Sequence, residues 1–170
     1  MGAPAHRPVA VFRVNPATLC LTAFAALLLQ TVLPLIHPLA RLIDFPLLVT
    51  IYFALLRRNQ VFGIALGTIL GLLQDALAHG LIGTSGMAKA LVGFLAATAS
   101  VKFDLEQLAP RLVFAGALIF VHSFFLFGLE RALLDPPSPF QPFDMLSGVL
   151  VNAALALVLF QGLDHFKQPA

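Results

Sequence analysis

Residues 61–78 read Val-Phe-Gly-Ile-Ala-Leu-Gly-Thr-Ile-Leu-Gly-Leu-Leu-Gln-Asp-Ala-Leu-Ala, with Asp75 the one charge in the stretch. As a helix such a run rises about 27 Å, close to the ~30 Å of a hydrocarbon core. Lipid offers no water to an unpaired N–H or C=O, so a stretch this apolar has to bond its backbone within itself, as a helix. Gly63, Gly67, Gly71 and Asp75 follow one another at four-residue steps, with His79 next in register. Residues i and i+4 lie on nearly the same helix face. Three glycines there bare a strip of backbone, which lets another helix approach closely.

Working upstream, Arg57-Arg58-Asn59-Gln60 closes a preceding apolar run over 45–56. Asp44 stands as a helix cap in front of Phe45 and Pro46, since proline is tolerated in a first turn. This second span is short for the bilayer, which predicts a tilted or interfacial entry. Residues 37–44 form a connector, and 17–36 make the first span. That span exceeds the apolar core of a signal peptide and lacks a clear cleavage site, so it reads as a retained helix. Downstream, 79–86 hold three glycines and a Thr-Ser pair and predict a turn. Spans over 87–101, 110–129 and 143–163 follow. Between the last two lies Asp135-Pro136-Pro137-Ser138-Pro139-Phe140-Gln141-Pro142, whose four prolines remove the amide donors a helix needs. The expected architecture is an all-α, polytopic membrane bundle of about six helices. Residues 1–16 and 164–170 are short cytoplasmic tails on one membrane domain, 17–163.

Composition agrees. The 170 residues are 59% hydrophobic and 11% charged, against roughly 25% charged in soluble domains. Too few polar groups exist to cover a water-facing surface. Cys20 is the lone cysteine, which excludes an internal disulfide and a multi-cysteine metal site. The basic residues are scattered among loops rather than gathered in a patch, which argues against nucleic acid.

Their distribution orients the chain instead. With the N-terminus inside, Arg7, Arg13, Arg57, Arg58, Lys102, Arg111 and Lys167 face the cytoplasm, Arg41 and Arg131 lie outside, and Lys89 falls within a span. Both termini are then cytoplasmic. Dropping the short second span would place the Arg57-Arg58 pair outside, which supports an even number of spans.

Four intramembrane polar residues are candidate site residues: Asp75, Lys89, His122 and Asn152. A charge in the apolar zone costs roughly 2.5–3.5 kcal/mol on insertion scales. Asp75 and Lys89 flank one short turn, so an ion pair between them is expected, either clamping the hairpin or contacting a partner at the outer face. His122 and Asn152 both fall near mid-membrane and could satisfy one another by hydrogen bonding. The face of Gly63, Gly67 and Gly71 serves either packing within the bundle or docking of another membrane protein. Gly83-Thr84-Ser85-Gly86 matches the GxSG of rhomboid proteases, but the histidine base that chemistry needs in span six is absent, and Asn152 stands there instead. No phosphate-binding loop, paired-histidine helix or carboxylate cluster is present. The pattern fits a binding or scaffold subunit better than an enzyme.

Residues 44–101 resemble the rod shape-determining protein MreD family of bacteria. The resemblance lies in Asp44-Phe45-Pro46-Leu47-Leu48, Ile51-Tyr52-Phe53-Ala54-Leu55, the basic turn Arg57-Arg58, Gly71-Leu72-Leu73-Gln74-Asp75, the glycine turn over 80–83, and Ala88-Lys89-Ala90-Leu91-Val92-Gly93-Phe94-Leu95. It implies a non-enzymatic inner-membrane subunit of the cell-elongation machinery, without cofactor. Such a subunit associates with the membrane partner MreC. Through it, MreB filaments are coupled to the peptidoglycan polymerase RodA and its transpeptidase. The family is also similar in fold to the substrate-binding subunits of energy-coupling-factor vitamin transporters. That likeness implies the alternative, an outward-facing vitamin pocket near spans three and four, where Asp75, His79, Thr84, Ser85 and Lys89 supply the polar groups.

Overall fold

Asn15 starts the first helix: its Oδ1 accepts the Ala17 amide at 3.0 Å, and Pro16 fills the first helical position, where no amide is needed. Helix α1 (Pro16–Ile36) follows, then a 3-10 segment, Pro38–Leu42, and α2 (Phe45–Arg57). The chain continues through α3 (Gln60–Ala78), α4 (Thr84–Lys102), α5 (Leu108–Leu133) and α6 (Pro142–Asp164). This computed structural model describes residues 12–13, 15–78, 81–103, 105, 107–133, 142–165 and 168–169. His79, residues 135–141 of the proline-rich loop and most of both tails lie outside them. Six segments are long and apolar enough to cross a membrane, the second being the 3-10 segment together with α2.

The bundle is built around α2. Every residue of it from Pro46 to Leu56 is buried. Phe53, Leu48 and Ile51 have no exposed surface, and Val92, Ala96, Ala115, Ala156 and Phe160 from the surrounding helices share this core. By contrast α1, α5 and α6 turn large apolar side chains outward, such as Leu35 at 85% and Phe143 at 82% exposure. In water such surfaces would drive aggregation; in lipid they are the solvated faces. Hydroxyls on exposed faces are returned to the helix that carries them: Thr22 Oγ1 donates to the Thr18 carbonyl and Thr31 Oγ1 to that of Leu27.

Two connections are tight. Arg58 takes a left-handed conformation (φ 51°) to end α2, and Asn59 Oδ1 accepts the Phe62 amide to begin α3. Gly83 (φ 106°) supplies the left-handed turn before α4. A two-residue antiparallel pair adds to the helices: Phe12 lies opposite Pro169 and Arg13 opposite Gln168. It places the segments before α1 and after α6 at one end of the bundle, as an even number of crossings requires. Against the expected spans, α4 starts three residues early and α5 runs four residues longer, to Leu133.

Candidate functional site

Thirteen residues make α2 about 20 Å long, so a helix starting at the Arg57 face ends inside a ~30 Å apolar layer. At that end Ile43 is extended and Asp44 is also non-helical, which strips several backbone groups of helical partners. Broken backbone is tolerated at membrane depth only when protein groups satisfy it. Here two side chains do so. Gln30 of α1 donates through Nε2 to the Ile43 carbonyl at 3.1 Å and accepts the Phe45 amide on Oε1 at 3.0 Å. Asn152 of α6 accepts the Asp44 amide on Oδ1 at 2.8 Å. Its Nδ2 donates to the carbonyls of Leu42, at 2.7 Å, and Gly148, at 2.8 Å.

Asp44 completes the site. Its Oδ1 accepts the Leu47 amide at 2.9 Å, the N-cap its position implied. Its Oδ2 accepts from Lys89 Nζ at 2.7 Å. The Lys89 side chain is wholly buried, while that of Asp44 keeps 16% exposure. His122 Nε2 stands 3.9 Å from the same carboxylate oxygen, beyond hydrogen-bonding distance, and has no hydrogen-bond partner among the described residues. The carboxylate therefore meets the positive end of the α2 dipole and an ammonium at once, the arrangement that makes a buried anion tolerable.

Two expectations need correction, and one choice between alternatives is decided. Asp75 and Lys89 do not pair. Asp75 Oδ2 instead accepts the amides of Gly83, at 2.8 Å, and Ser85, at 3.1 Å, so it caps α4 from α3. The unsatisfied amides at that helix start provide the positive partner, and Lys89, one turn deeper, extends inward to Asp44. His122 and Asn152 do not satisfy each other either: Asn152 bonds the Asp44 amide and the Leu42 carbonyl of the broken backbone, and its third hydrogen bond goes to the Gly148 carbonyl of its own helix. Finally, the glycine face has no room for another protein. A Cβ on Gly63 would overlap the Gly93 carbonyl, one on Gly67 the Lys89 carbonyl, and one on Gly71 would come within 2.5 Å of Gly86 Cα. That strip is the contact between α3 and α4. The Gly83-Thr84-Ser85-Gly86 run is explained by the same contact: Gly83 turns, Ser85 offers its amide, and Gly86 packs against α3.

A second buried cluster holds α2 near its other end. Arg111 donates to both carboxylate oxygens of Asp164, at 3.2 and 2.5 Å, and Tyr52 Oη donates to Oδ1 at 3.0 Å. The Arg111 guanidinium also lies 5.4 Å from the Phe160 ring centroid. Arg111 reads in the sequence as a cytoplasmic-side charge at the start of span five, but it is only 4% exposed.

Above the break, toward the end of α5 and the start of α6, opens a cavity of about 310 Å³. Gln74, His122, Glu130 and Asp144 are among its walls. No three His, Cys, Asp or Glu side chains among the described residues converge as a metal site.

A family model for the rod shape-determining protein MreD matches residues 12–163, a stretch that includes the whole Asp44 cluster and, of the second one, Tyr52, Arg111 and Phe160. The chain belongs to the MreD family. No curated protein and no solved structure matches it. MreD membership implies a role in rod shape determination, within the shape-determining system that includes MreC and MreB, as a structural protein rather than a known enzyme. With six membrane-crossing segments, this MreD chain is a multi-pass membrane protein. Sequence reasoning about it missed Gln30, Tyr52 and Asp164 as partners, and Asp44 as the counter-ion of Lys89. The available signal was the polarity of Gln30 and Tyr52 inside apolar runs, which oblige each to find a bond.

Proposed function

We propose that this MreD-family chain is a non-enzymatic scaffold subunit of the rod-shape machinery in the bacterial inner membrane. Both tails face the cytoplasm. It associates with an MreC-type partner, and through it cytoplasmic MreB filaments are coupled to a RodA-type polymerase and its transpeptidase. The observation that carries this reading is the family match over 12–163. The geometry supports it. The buried charges Asp75, Lys89 and Arg111, with the half-buried Asp44, all brace helices, and the least buried helices, α1, α5 and α6, offer apolar faces to neighbours.

The vitamin-subunit alternative draws less support. Its expected polar groups near spans three and four are engaged elsewhere: Asp75 caps α4 and Lys89 pairs with Asp44. Among the described residues around the 310 Å³ cavity, none comes from α4.

Depletion in a rod-shaped host, with affinity purification of the tagged chain from its native membrane, tests the proposal. Rounded cells and co-purification of the MreC-type partner are expected. Cells that stay rod-shaped, or a chain that purifies with a bound vitamin instead of that partner, would overturn it.

A further inference from the structure

The polar cavity above α2 has a neighbour. A second cavity of about 470 Å³ lies between α1 and α3, walled by Leu27, Pro34, Leu35, Leu77 and Ala78. The two share Gln30, Arg41 and Gln74. One side of this pair is thus apolar, set between two helices that turn much of their surface to lipid; Leu35 is 85% and Leu77 47% exposed. The other side is polar and charged. Volumes of this size fall within the ~300–1,000 Å³ range of small-molecule sites.

Two polar atoms in the inner chamber lack hydrogen-bond partners among the described residues. His122 is 4% exposed, and its Nε2 has no hydrogen bond. Gln74 Oε1 is likewise buried and unbonded. Such groups are costly in an apolar layer unless something bonds them. Around them stand one cation, Arg41, and three carboxylates: Asp44 is already paired with Lys89, whereas Glu130 and Asp144, like Arg41, have no ion-pair partner among the described residues. Gln30 and Thr31 are already committed to backbone. The chamber therefore favours a headgroup that carries a negative and a positive charge together, with hydrogen-bond donors on the positive one. The adjoining crevice favours a hydrocarbon tail.

From this we infer that the two cavities hold one aminophospholipid molecule. Its phosphate lies at Arg41, where both chambers meet. Its ammonium turns to Glu130 and Asp144 and brings donors to Gln74 Oε1. An acyl chain occupies the crevice between α1 and α3. The inference is independent of the scaffold role, since it concerns the chain's own bilayer-facing surface.

The test uses the full chain, purified and delipidated in a non-ionic detergent. Dioleoyl phosphatidylethanolamine, dioleoyl phosphatidylglycerol and soluble phosphoethanolamine are titrated in turn, with native mass spectrometry and thermal melting as readouts. One tightly retained phosphatidylethanolamine and a raised melting temperature are expected. Phosphatidylglycerol should bind about tenfold more weakly, the factor one charge-assisted hydrogen bond supplies. Soluble phosphoethanolamine should leave the melt unchanged. Arg41→Gln alters an exposed side chain, and Ala78→Phe fills the crevice from an exposed position. Each should weaken retention about tenfold while helical content stays that of the parent. Equal or stronger binding of phosphatidylglycerol, stabilisation by the soluble headgroup alone, or unaltered retention in both variants would overturn the assignment.

Discussion

Replacing Lys89 with methionine removes one charge and keeps nearly the same length and shape. In the parent, Lys89 Nζ lies 2.7 Å from Asp44 Oδ2, and its side chain has no exposed surface. Breaking a buried pair from one side costs about 3–5 kcal/mol, chiefly because the other charge is left uncompensated. Asp44 keeps 16% exposure and the Leu47 amide, so the lower end, about 3 kcal/mol, is expected. Adding Asp44→Asn should return about 2 kcal/mol of that, since asparagine still caps α2 and no charge remains. The assay is equilibrium unfolding of the purified chain by SDS titration in mixed micelles, followed by circular dichroism. Asp75→Asn provides the control. Asp75 bonds backbone amides and not Lys89, so Asp75→Asn with Lys89→Met should be additive within about 0.5 kcal/mol. A Lys89→Met variant as stable as the parent, or coupling that appears with Asp75 and not Asp44, would refute the reasoning.

Further outcomes follow from the same contacts. Asn152→Ala leaves the Asp44 amide and the Leu42 carbonyl without partners in the bundle, and should lower unfolding stability in micelles by about 2 kcal/mol. Gly67→Leu should abolish folding of the isolated chain, seen as lost monodispersity in detergent, because its side chain has to occupy the space of the Lys89 backbone; a folded variant that merely loses a protein partner would restore the docking role of that face. Tyr52→Phe removes one hydrogen bond to Asp164 and should cost about 1 kcal/mol, whereas Arg111→Met strips the carboxylate of its cation and should cost clearly more in the same titration. Reporter fusions at either terminus should both read cytoplasmic, and an exterior reading at one end alone would contradict the even number of crossings.

Much of this protein was legible in the residues themselves. Runs such as 61–78 are long and apolar enough that only a membrane helix bonds their backbone, so the six spans and the family likeness followed without coordinates. Asp44 ahead of Phe45-Pro46 announced the start of α2, because capping needs only neighbours three residues away. What tertiary structure alone decided is which polar group meets which. Asp75 and Lys89 sit close in sequence at similar depth, yet Asp75 found free amides at 83 and 85, and Lys89 found a carboxylate 45 residues upstream. Asn152 found a backbone break 108 residues away rather than a histidine. Hydropathy and caps are properties of one segment, fixed by its transfer to lipid and its own hydrogen bonds. Pairing depends on the rotation and depth at which helices pack, and here glycines that let α3 and α4 touch backbone to backbone help set both.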